Sequence, residues 1–157
     1  SLPAIAIGME KGNEEILKQK PRNINKSLLN KETILQVGFE GLIISIFTML
    51  SYFMGLRNNE LTASSMAFGT LCLARLLHGF NCRSDLPLIK LPLNYYSLLA
   101  FLMVGLLLIW ILISPNFHSF FSISELTLRQ LAMIFIFATL PSIIIQFYKI
   151  IASRHNF

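Results

Sequence analysis

Arg75 has the most chemistry to offer in this sequence, because it stands inside a stretch that is otherwise uncharged from Ala63 to Asn81. A guanidinium in a membrane-length segment is costly, so it faces a protein interior, pairs with another group or marks an ion path. The structural alternative is snorkelling. Six residues separate Arg75 from Asn81, about 9 Å of helical rise, part of which a long side chain can span. His78 and Asn81 follow at three-residue spacing on the same helical face, where hydrogen bonding to a neighbouring helix is the plainer role. Glu40 is the one acidic residue inside an apolar segment, near its start. Gln36, Gly38, Gly41 and Ser45 lie around it, and Gly41-x-x-x-Ser45 is a small-xxx-small pattern that lets a second backbone approach closely.

Other chemistry is missing. There is no Gly-rich phosphate loop, no Cys/His cluster at metal spacing and no Ser-His-Asp arrangement, and His78, His118 and His155 fall on different elements. No residue is assigned to catalysis or to a metal. Cys72 and Cys82 are ten residues apart on one helical segment, about 15 Å, too far for a disulfide. Both are expected to be reduced packing residues.

The elements that must position these residues follow from the charge map. Of 157 residues, 54% are hydrophobic and only 13% charged, with a mean hydropathy of +0.63. That is about half the charge of a soluble domain, which argues against disorder and a free-standing cytosolic enzyme. Sixteen uncharged residues separate Glu40 from Arg57, no Asp, Glu, Lys or Arg occurs from Leu91 to Ser124, and 19 uncharged residues run from Gln130 to Tyr148. A spanning helix needs about 20 mostly apolar residues, so 34–56, 93–113 and 128–149 are predicted spans. Segment 63–81 is more polar but rich in Ala, Ser, Gly and Thr, as suits a helix packed among helices. It is the fourth expected span, and without it the flanking loops fall on inconsistent sides of the membrane. The predicted fold is therefore all-α, with four transmembrane helices preceded by the end of another. Tyr95, Tyr96 and Trp110 sit near the ends of the third span, where interface anchors belong. Pro141 is expected to kink the last span, with Thr139 and Ser142 satisfying the freed backbone groups.

Basic residues set the orientation. Lys11, Lys18, Lys20, Arg22, Lys26, Lys31, Arg83, Lys90, Lys149 and Arg154 fall on one face, against Arg57 and Arg129 on the other. The ten-residue side is expected to be cytosolic. The net charge of +5 is thus a topology signal, and no nucleic-acid partner is expected. Residues 1–9 are apolar but too short to span, and no basic residue precedes them as a secretory signal requires. With no initiator Met, the chain is expected to be a fragment opening in the cytosolic end of a helix. Residues 10–33 form a polar loop, and 150–157 a cytosolic tail.

Three further stretches carry a resemblance. SLPAIAIGME at 1–10, LKQKPRN at 17–23 with SLLN at 27–30, and LLHGFNCRSD at 76–85 together resemble the C-terminal membrane region of type-II P-type cation-transporting ATPases, in particular bacterial and secretory-pathway calcium pumps. Order and spacing agree across essentially the whole chain. The resemblance implies that 1–9 is sixth-helix-like, that 10–33 is the loop joining helices six and seven, and that the four spans are helices seven to ten. The family's phosphorylated aspartate, nucleotide and actuator domains and most cation ligands lie upstream. This chain alone would then hydrolyse no ATP and hold no complete ion site, and the whole pump would use magnesium-ATP and transport calcium.

The resemblance places one cation-site position in this chain, at Arg75. Where animal sarcoplasmic-type pumps carry an acid and related pumps often Gln, a fixed positive charge would occupy or repel one calcium site. That implies one calcium per ATP, with proton counter-transport. The structural alternative pairs Arg75 with a carboxylate on another helix. The partners implied are the bilayer and the rest of the pump. The glycine face of 34–56 would meet the fifth-helix-like segment, and 10–33 would meet the phosphorylation domain. The expected localisation is multi-pass in the cell membrane. The competing function is an independent four-span protein, a small exporter or assembly subunit. Such a protein needs a central intramembrane carboxylate, and Glu40 lies near the edge.

Overall fold

The computed structural model describes residues 31–82 and 95–155. The expected half-helix at 1–9, nearly all of the loop 10–33 and the loop containing Arg83 and Lys90 lie outside those residues. Among the described residues the fold is all-α: α1 (Lys31–Leu56), α2 (Glu60–Asn81), α3 (Tyr95–Ile113), α4 (Pro115–Phe121) and α5 (Leu128–His155).

Local chemistry sets the helix boundaries. The Asn58 amide donates to the Gly55 carbonyl at 3.0 Å, and the Asn59 side-chain oxygen accepts the Thr62 amide at 2.7 Å, which caps α2. Gly55 is required here, because a Cβ would stand 2.6 Å from the Ala63 Cα. Pro115 opens α4 at a position where its missing N–H costs nothing. Thr127 and Gln130 form a capping box at the start of α5: the Thr127 amide donates to Gln130 Oε1 at 2.8 Å, and the Gln130 amide to Thr127 Oγ1 at 3.4 Å. α5 continues past Lys149 to His155.

α1, α2 and α5 form a mutually packed trio, and α3 leans on α2. Because the α1–α2 turn is three residues long, the two helices run antiparallel. Phe39 stacks near Tyr148 and Phe47 near Phe137, at 5.5 and 6.3 Å between ring centroids, so α5 also runs antiparallel to α1. The core comprises Ile44, Met66, Leu73, Ala74, Leu108, Leu112, Ile123, Ile134 and Ala138.

The composition of α2 follows from its central place. Its small and hydroxylic residues face its neighbours: Thr70 Oγ1 donates to Ser51 Oγ at 2.7 Å, and Ser51 Oγ donates to the Met66 carbonyl at 3.2 Å, all buried. Such interhelical bonds contribute about 0.6 kcal/mol each in a membrane. Gly69 lets Leu112 and Ile134 approach to within 3.3 Å of where a Cβ would stand.

The exterior is apolar instead. Leu35, Leu42, Ile46 and Phe53 on α1, Leu99, Leu102, Leu106 and Trp110 on α3, and Leu128, Ile136 and Phe147 on α5 are all exposed. A continuous apolar sheath of this kind fits lipid or further helices, not water. Thr33–Leu56 and Leu128–Ile151 are each 24 residues long and apolar enough to cross a membrane, about 36 Å at helical rise. Of the four expected spans, these two pass on length and apolarity among the described residues. Leu98–Ile113 is apolar but shorter, and α2 has the length without the apolarity, because its polar groups are spent on its neighbours.

Candidate functional site

A cluster of polar residues lies at the end where α1 begins and α2 and α5 finish. Glu40 on α1 is buried, and its Oε2 lies 3.3 Å from Nε2 of His78 on α2. Gln36, one turn earlier, donates from Nε2 to Glu40 Oε1 at 3.2 Å. The Cys82 sulfur stands 3.3 Å from the same His78 nitrogen. His78 Nδ1 is buried and has no hydrogen-bond partner among the described residues. Asn81 is buried beside this group and links α2 to α5. Its Oδ1 accepts from Gln146, its carbonyl accepts from the Lys149 ammonium, and its Nδ2 donates to the Ser142 carbonyl at 3.5 Å. Lys149 is itself buried. Cys82 is exposed as a residue, but partial burial of its thiol pushes the pKa up from its ordinary value, and the Glu40 carboxylate pushes it further, against a smaller opposing effect of Lys149.

The sequence-selected residues thus divide. Glu40, His78 and Asn81 come together in one cluster. Gly41 and Ser45 do not join it. Ser45 Oγ donates to the Gly41 carbonyl within its own helix at 2.8 Å, and a Cβ on Gly41 or Gly38 would meet nothing within 4 Å. Arg75 is exposed, on a stripe of α2 with Ser64, Phe68 and Leu71. Gln146 and Lys149 went unremarked as site residues, although their three-residue spacing with Ser142 one turn earlier places all three on one helical face. The roles expected at Pro141 are corrected. Pro141 frees the Phe137 carbonyl, whereas Thr139 Oγ1 donates to the Phe135 and Ile136 carbonyls at 2.9 and 3.0 Å, and Ser142 Oγ is buried with no partner among the described residues. Both cysteines are free, as expected. Cys72 packs against the core, whereas Cys82 is exposed.

A cluster of carboxylate, imidazole, amides and ammonium can tie three helix ends together. The Cys82 thiol is within reach of the His78 imidazole, but its raised pKa keeps it from acting as an activated nucleophile, and no group of three His, Cys, Asp or Glu residues among the described residues could hold a metal. A bundle with an apolar exterior and polar groups gathered at its ends is a membrane module. The family model described as the C-terminus of cation-transporting ATPases matches residues 1–151. The chain belongs to this family.

Relatives within the cation-transporting ATPases agree. A calcium-transporting ATPase of Listeria monocytogenes is 41% identical over 85 residues, covering 54% of this chain and 10% of the relative. One from Lactococcus lactis is 34% identical over 64% of this chain and 12% of the relative. Another, from Bacillus cereus, is 24% identical over 96% of this chain and 19% of the relative. The chain therefore spans between a tenth and a fifth of the length of these ATPases.

Proposed function

We propose that this chain forms the C-terminal membrane region of an ATP-driven calcium transporter, supporting its membrane domain and contributing one edge of its ion site. The family match over residues 1–151 carries this reading, and the calcium-transporting relatives supply the cation. α1, α2, α3 and α5 then cross the membrane as the seventh- to tenth-helix-like spans. The polar character of α2 is compatible with crossing, because three helices cover it. The basic end of the bundle, with the loop 10–33 and the C-terminus, faces the cytosol. ATP hydrolysis with magnesium belongs to the remainder of the pump.

Two outward features support a larger assembly. The face of Gly38 and Gly41 is open, which suits close packing by a fifth-helix-like segment. Arg75 lies on an exposed stripe beside Phe68 and Leu71, where a guanidinium against lipid tails is costly. A helix from the rest of the pump covers it, and its charge stands at the edge of the ion site. One calcium then moves per ATP, with proton counter-transport. The loop 10–33 meets the phosphorylation domain.

The alternative, an independent four-span membrane protein, lacks a central carboxylate: Glu40 is at the bundle end, held by His78 and Gln36. The reading frame upstream of Ser1 separates the two. A frame encoding an Asn/Asp-bearing sixth helix and a DKTG phosphorylation motif supports the pump, and a start codon immediately before Ser1 contradicts it. Stoichiometry of the intact pump tests Arg75: one calcium per ATP is expected, and two would overturn its role.

A further inference from the structure

The opposite end of the bundle holds a second polar feature, unrelated to the Glu40 cluster. A cavity of about 270 Å³ opens between the α1–α2 turn and the start of α5. Arg57 and Asn58 line it from the turn, and the capping residue Thr127 with Arg129 and Gln130 line it from the start of α5. Its apolar lining is methionine: Met54, Met66 and Met133. Arg57 and Arg129 are the two basic residues assigned to this side, and the fold brings both to one cavity. Neither makes an ion pair or hydrogen bond among the described residues, and no acidic residue lines the cavity.

We propose that this cavity binds the phosphate of an anionic phospholipid. Two guanidiniums sharing one cavity repel each other, and an anion between them removes that repulsion. Guanidinium forks match phosphate oxygens with paired hydrogen bonds. The cavity lies at the ends of two membrane-length helices, Thr33–Leu56 and Leu128–Ile151, which is the depth of lipid headgroups. The methionine lining is flexible and polarizable and accepts the start of an acyl chain. A free phosphate uses the arginines and leaves that apolar lining idle, which is why the lipid is favoured. The inference holds whichever side of the bilayer this end faces, and it does not depend on calcium transport.

The test is native mass spectrometry of the full-length protein carrying this chain, delipidated in detergent and titrated with palmitoyl-oleoyl phosphatidylglycerol or with the phosphatidylcholine of the same chains. One phosphatidylglycerol is expected to bind in preference to phosphatidylcholine. The R57Q/R129Q double variant is expected to bind it about thirtyfold more weakly, as the loss of two near-surface basic contacts dictates. R57K/R129K, which keeps the charge but loses the paired hydrogen bonds, is expected to bind more weakly than wild type and more tightly than R57Q/R129Q. Undiminished binding by R57Q/R129Q overturns the proposal, as does displacement of the lipid by an equal concentration of inorganic phosphate, which marks a free-anion site. Hydrogen exchange on the wild-type protein needs no variant. Phosphatidylglycerol, and not phosphatidylcholine, is expected to slow exchange at 55–59 and 127–131, and no difference between the two lipids overturns the inference.

Discussion

His78 Nε2 lies 3.3 Å from Glu40 Oε2, joining the end of α2 to the start of α1 through a carboxylate that is itself buried. Removing one partner from such a pair leaves an uncompensated polar group, whereas replacing both with apolar residues costs much less. H78L is therefore expected to destabilise the membrane domain by about 3 kcal/mol, and E40L/H78L by clearly less. Reversible unfolding in mixed micelles measures both. A double variant as unstable as the sum of its singles contradicts the pairing.

The Cys82 thiol reports on the same carboxylate. Burial and Glu40 raise its pKa, so less thiolate is present at neutral pH and alkylation is slow. In a C72S background, maleimide labelling of Cys82 at pH 7 is expected to be slower than that of a model thiol and to climb steeply with pH. E40Q removes a negative charge, lowers the thiol pKa and speeds labelling at pH 7. Equal rates in the two proteins contradict the proximity.

Two classes of glycine respond in opposite ways. Alanine at Gly55 puts a Cβ 2.6 Å from the Ala63 Cα, so G55A is expected to destabilise the α1–α2 hairpin by about 1–3 kcal/mol. Gly41 is exposed, and a Cβ there meets nothing within 4 Å. G41L is expected to leave thermal unfolding of this region within about 0.5 kcal/mol of wild type while lowering calcium transport by the intact pump. Unchanged transport contradicts the packing role of that face.

Much of this organisation was legible in the sequence, for reasons that differ by residue. α1 and α5 announce themselves through long uncharged runs, because their outer faces carry apolar residues such as Leu42, Ile46, Ile136 and Phe147. α2 could not be identified by hydropathy, since Ser65, Thr70 and Gly69 look inward: Ser65 Oγ accepts the Ser124 amide at 2.8 Å, Thr70 meets Ser51, and Gly69 meets Ile134. Glu40, His78 and Asn81 stood out as polar groups in apolar surroundings, but which of them meet depends on the antiparallel hairpin. Gln146 and Lys149 were obscured because a basic residue at a helix end reads as a headgroup anchor. Burial against the Asn81 carbonyl is a tertiary fact. The small-xxx-small pattern was easy to see, yet Gly41 and Ser45 face outward, and nothing in local spacing could say so.

Arg75 yields a charge-reversal prediction. In the intact pump, R75E is expected to raise the calcium carried per ATP from one toward two and to reduce proton counter-transport, measured by paired calcium and phosphate-release assays. A variant that still carries one calcium with unchanged proton movement assigns Arg75 to ion pairing alone.

The central claim is that this chain serves an ATP-driven calcium transporter, and vesicle uptake tests it most directly. Inverted membrane vesicles from cells expressing the full open reading frame are given magnesium-ATP and radioactive calcium. The expected result is ATP-dependent calcium accumulation that orthovanadate abolishes and that vesicles without the protein do not show. Vesicles that contain the protein and hydrolyse no ATP in response to calcium, with uptake equal to the control, would contradict it.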